Sequence, residues 1–116
     1  MKNFLSYIRS LFGGSSVNSG KKSDKFPFDD HPDTYTMTCS HILDNGEPIL
    51  YVSHDGDDGM WQFLCGKIHT ESEARVVSLG EVFAKDNTLA DIADMPPGYI
   101  AERSNVHDGW QIKKRG

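Results

Sequence analysis

Residues 48–67, PILYVSHDGDDGMWQFLCGK, decide how this chain is read. The first seven, PILYVSH, are apolar on both faces, which predicts a central strand. The last seven, WQFLCGK, predict a second strand, with Trp61 and Phe63 on one face. Between them lies DGDDGM. Glycine supplies positive φ and aspartate hydrogen-bonds its own backbone, so this composition predicts a tight connection between two strands.

Working outward, residues 34–43, TYTMTCSHIL, alternate Thr34, Thr36 and Thr38 with Tyr35, Met37 and Cys39. A period of two predicts a half-buried strand. Asn45-Gly46 follows as a hairpin turn signal. Three successive strands of this kind predict an antiparallel meander. Residues 68–74 are polar and loop-like, and RVVSL (75–79) predicts a fourth strand. GEVFAKD continues as a helical turn with Val82 and Phe83 inward. NTLADIADM (87–95) predicts a short helix capped by Asp86 or Asn87, with Leu89, Ile92 and Met95 on one face. PPG ends that helix. YIAER then predicts a late strand, and GWQIKK a final strand or extended tail. The fold class is α+β: an antiparallel sheet, a meander of about four to six strands, with one or two short helices on one face.

Upstream, residues 1–12 place Phe4, Leu5, Ile8, Leu11 and Phe12 at helical spacing, a short amphipathic helix. Three readings stay open for it: docking on the domain, contact with a partner or a membrane surface, or a disordered leader. Residues 13–33 form a flexible linker and an irregular entry marked by Pro27 and Pro32. Residues 34–116 form the single α+β domain.

A chain of 116 residues is one domain. With 37% hydrophobic and 25% charged residues it matches a soluble globular protein. No apolar run approaches the roughly 18 residues of a transmembrane segment. Cys39 and Cys65 lack zinc-finger or redox spacing, so the expected compartment is reducing cytosol, with both thiols free. Residues 26–116 hold seven basic and sixteen acidic residues, a net of −9. Such a domain repels phosphates, which argues against nucleic acid. It suits a basic protein partner, or solubility alone.

Four groups could carry chemistry. Asp55, Asp57 and Asp58 resemble a calcium loop, but counting from Asp55 puts Gly59 at position five, Met60 at six and Gly66 at twelve, where an EF-hand needs an acid, a glycine and a glutamate. A turn-forming role explains them better. Cys39, His41, Cys65 and His69 supply four zinc-type donors, with Cys39 and His41 on one strand face, but in no common finger spacing. Buried cysteines and surface histidines explain the same residues. Ser53-His54-Asp55 has the residue types of a triad, yet neighbours on a strand point to opposite faces. A Cys–His dyad is the remaining nucleophilic option. The aromatics Tyr51, Trp61, Phe63, Phe83, Tyr99 and Trp110 are expected to pack as core. An exposed Trp61 or Trp110 beside the acids would instead mark a binding surface. No catalytic motif is found and no cofactor is expected.

The strand, the Asp-rich loop, Gly59, Trp61, Phe63 and Gly66, then Ser78-Leu79, Asp86, Leu89, Gly98 and Arg103, resemble a bacterial domain of unknown function grouped with immunity protein 33-like domains. The likeness covers about residues 36–103, with Met60 inserted between Gly59 and Trp61. It implies an α+β domain from toxin–immunity neighbourhoods with no established catalytic residues. Such proteins occlude a toxin through a complementary surface. The expected function is therefore a small cytoplasmic interaction protein whose contact face is Asp55, Asp57, Asp58 and Trp61. The alternative is a small Cys/His-dependent enzyme or metal-binding protein.

Overall fold

The computed structural model describes residues 26–67 and 70–115. The leader 1–12 and the linker 13–25 lie outside them, as does His69. Six strands form one sheet: β1 (Tyr35–Cys39), β2 (Tyr51–His54), β3 (Trp61–Leu64), β4 (Ala74–Ser78), β5 (Tyr99–Glu102) and β6 (Gln111–Lys114). Two α-helical segments, α1 (Ser40–Leu43) and α2 (Leu79–Lys85), and the 3-10 turns Glu71–Glu73 and Asn87–Ile92 join them. The α+β class holds.

The sheet order is β4-β1-β3-β2-β5-β6. β2 and β3 form the expected antiparallel hairpin, pairing Tyr51 with Leu64 and His54 with Trp61. The simple meander does not hold. β1 lies beside β3, in parallel, and beside β4. The Asn45-Gly46 signal serves a different purpose from the one expected. The chain leaves β1 directly into α1, and Gly46, at φ 73°, closes that turn. The Gly46 and Glu47 N–H groups donate to the Ile42 and His41 carbonyls. A left-handed glycine stops a helix as readily as it reverses a hairpin.

β1 is also more buried than a half-buried strand. Thr36 and Thr38 are enclosed along with Met37 and Cys39. Their hydroxyls donate to the Val77 and Phe63 carbonyls at 2.9 and 2.7 Å, which satisfies them in the interior. An alternating pattern of threonine therefore hides an inner strand.

Core side chains lie on both faces of the sheet, with Met37, Cys39 and Leu64 buried on one and the aromatic cluster around Trp61 and Phe63 on the other. Phe28, from the irregular entry, meets Trp61 edge-on at 5.0 Å, Phe63 at 6.4 Å and Phe83 of α2 at 6.3 Å. Phe26 packs on Phe83 at 5.8 Å. α2 starts with a capping box: the Ser78 hydroxyl takes the Glu81 N–H, and the Glu81 carboxylate takes the Ser78 N–H. Ser-Leu-Gly-Glu carries that signal in the sequence. Asp86 caps the following 3-10 turn through the Thr88 N–H, and Leu89, Ile92 and Met95 are buried as expected. That segment is 3-10 over 87–92, shorter than the helix expected over 87–95.

Candidate functional site

Two places in the fold gather functional side chains. The first is the β2–β3 connection. The Asp55 carboxylate accepts the Asp57 N–H at 2.9 Å, and the Asp58 carboxylate accepts the Met60 N–H at 2.9 Å. Gly59, at φ 77°, lets the chain reverse, and Asp55 and Met60 close the loop across their backbones. The acids build the turn, as their spacing predicts. Asp57 is exposed, and Asp55 and Asp58 are partly so.

Of the two expectations for Trp61, core packing holds and the partner-contact face does not, because it is only 2% exposed. Phe28 covers one side of the indole, and His54 stacks on it at 3.9 Å. The indole N–H donates to Asp30 at 3.2 Å, and the His54 Nδ1–H donates to the Met95 carbonyl at 2.7 Å. Trp61 supports the acidic loop from beneath and offers a partner no surface. Ser53 and His54 turn to opposite faces, so Ser53-His54-Asp55 forms no relay.

The second place is the far end of β3. The parallel register Thr38–Phe63 sets Cys39 and Cys65 at the same end of neighbouring strands. Their sulfurs are 3.8 Å apart. His41 joins them for a reason other than strand alternation: β1 stops at Cys39, and α1 coils His41 back over the thiols. Its Nδ1 lies 3.3 Å from Cys65 Sγ, and its Nε2 lies 3.3 Å from a Glu73 carboxylate oxygen. The donor atoms of Cys39, His41 and Cys65 all lie within 4.8 Å of one another. Sequence reasoning did not single out Glu73, because residues 68–74 carry only a polar, loop-like pattern.

Cys39 is fully enclosed and Cys65 is 5% exposed, while the His41 side chain keeps 20% of its surface. Burial pushes the Cys39 thiol up, so it is a neutral S–H at pH 7. That opposes nucleophilic use, which needs a thiolate within reach of substrate. At the rim, Lys67 bonds Glu47 at 2.7 Å and holds its carboxyl below the usual range.

A third residue is structural. Arg103 is buried, and its guanidinium donates to the Ile49 carbonyl, Thr88 and Asp86. Trp110 stacks on it at 4.0 Å. Among the described residues no helix is long and apolar enough to cross a membrane. No family model, no curated protein and no solved structure matches this chain, so the resemblance to immunity protein 33-like domains rests on the residues that carry it.

Proposed function

We propose that this chain is a small, non-enzymatic interaction protein of the bacterial cytoplasm that occludes a basic protein partner, of the kind a toxin presents to its immunity protein. One observation supports this reading most. Acidic residues from three separate segments are brought to the end of β2 and the start of β3. Asp55, Asp57 and Asp58 form the connection. Asp30 reaches the Trp61 indole from the entry segment. Asp94 is exposed next to Met95, whose carbonyl holds His54. The turn hydrogen bonds and the buried Trp61 make this end rigid, so little conformational entropy is lost on docking. A charged, preorganised end of this kind steers an oppositely charged partner and sets its orientation.

The experiment pairs the full chain with the product of the neighbouring gene, which this reading expects to be a basic protein. The reading expects a complex whose association rate falls steeply with salt. It expects Asp57→Lys combined with Asp94→Lys, two exposed positions, to slow association about tenfold or more at low salt while the fold is kept. Absence of a complex, or equal rates for wild type and variant, overturns the reading.

A further inference from the structure

We propose that Cys39, Cys65 and His41 Nδ1 form a binding site for a zinc-class divalent cation, with Glu73 as the outer carboxylate that orients the imidazole.

The separations carry the argument. A tetrahedral ion with metal–sulfur bonds of about 2.3 Å and metal–nitrogen bonds of about 2.0–2.1 Å holds two sulfurs about 3.8 Å apart and a sulfur and a nitrogen about 3.6 Å apart. The two sulfurs here are 3.8 Å apart, and Cys65 Sγ and His41 Nδ1 are 3.3 Å apart. The remaining edge lies within 4.8 Å, in reach of a small χ adjustment. Two thiolates and an imidazole are the donor set of zinc and its softer neighbours, and calcium and magnesium prefer oxygen.

Glu73 is an independent second observation. A metal-bound histidine usually gives its other ring N–H to a carboxylate, which fixes the tautomer. Here the Glu73 carboxylate sits on Nε2, 3.3 Å away. With the proton on Nε2, the Nδ1 lone pair points at the sulfurs. The three donors come from the end of β1, from α1 and from just beyond β3, and the strand pairing holds these in place before any ion arrives.

The charge balances. On binding, Cys39 and Cys65 each release a proton to solvent, and two thiolates offset the 2+ of the ion. The ion and its three protein donors are then neutral. The three donors leave one tetrahedral position to a group outside the cluster.

The test is a titration of the reduced full-length chain with Co2+, followed by competition with Zn2+. The expected result is a thiolate-to-cobalt charge-transfer band with tetrahedral d–d bands, saturating at one ion per chain and erased by Zn2+. About two protons per ion should appear in weak buffer. Cys65→Ser and His41→Ala should abolish or shift these bands. Glu73→Gln, at a half-open position, should keep the circular dichroism of the fold and weaken Co2+ binding about 10–100-fold. Failure to develop a thiolate band, or bands unchanged in Cys65→Ser, overturns the site. So does Glu73→Gln binding as tightly as wild type, for the outer-carboxylate role.

Discussion

Replacing Phe28 by alanine tests whether the irregular entry is part of the core. Phe28 is 0% exposed and touches four other rings, Trp61 and Phe63 of β3, Phe83 of α2 and Phe26 beside it. Truncating an enclosed phenylalanine costs about 3–5 kcal/mol, from lost transfer energy and the cavity left behind. Edge-to-face ring pairs add roughly 0.5–1.5 kcal/mol each beyond their area, which places this site toward the upper end. A domain of this size has about 5–15 kcal/mol in total. With a urea m-value of about 2 kcal/mol per M, the midpoint should fall by about 2 M. Urea unfolding followed by tryptophan fluorescence is the assay, because the Trp61 ring is 5.0 Å from the ring removed. Tyr35→Ala, at a position 55% exposed, is the control and should move the midpoint little. A shift below about 0.5 M for Phe28→Ala would refute the reasoning and return residues 26–33 to the status of a loosely attached entry segment.

Other outcomes follow from the same contacts. Arg103→Met should destabilise by about 3–5 kcal/mol, measured by thermal or urea unfolding, because it leaves the Ile49 carbonyl and the Asp86 carboxylate without their buried partner. Ser78→Ala should cost about 0.5–2 kcal/mol in the same assay by removing one half of the α2 capping box. The Cys39 thiol sits above its ordinary range because burial penalises the thiolate. The unfolded chain therefore loses this proton first as pH rises. Stability from this group is flat at lower pH and falls above about 8.5, the unfolded thiol value. Unfolding midpoints across that range should show the slope in wild type and lose it in Cys39→Ala. Slow alkylation of both thiols in the native protein, rapid in urea, should report the same enclosure.

Much of the fold was legible because its signals are local. The β2–β3 hairpin follows from an apolar run, an Asp/Gly connection and a second run. Leu89, Ile92 and Met95 declare a buried face by spacing alone. The alternation of Thr34, Thr36 and Thr38 with Tyr35, Met37 and Cys39 was legible as a strand, but not as an inner strand. Thr36 and Thr38 need carbonyl partners to be buried, and those come from β4 and β3. Asn45-Gly46 fitted two outcomes, since positive φ serves a hairpin and a helix stop equally. At the thiol cluster the residue types were legible for Cys39, His41 and Cys65. Glu73 was not, because nothing in a polar stretch marks which carboxylate will meet a histidine from another element.

The sequence by itself determined the α+β class, most strand positions, the turn role of Asp55 and Asp58, and the acidic balance of the domain. These depend on side-chain period, glycine conformation and charge, which act over a few residues or as a sum. Only the tertiary structure decided that β1 runs parallel to β3, that Trp61 is walled in by Phe28 and His54, and that two cysteines, a histidine and a glutamate meet at one end of the sheet. Each depends on which distant segments pair, and strand pairing is chosen by burial of the whole chain, which no local pattern encodes.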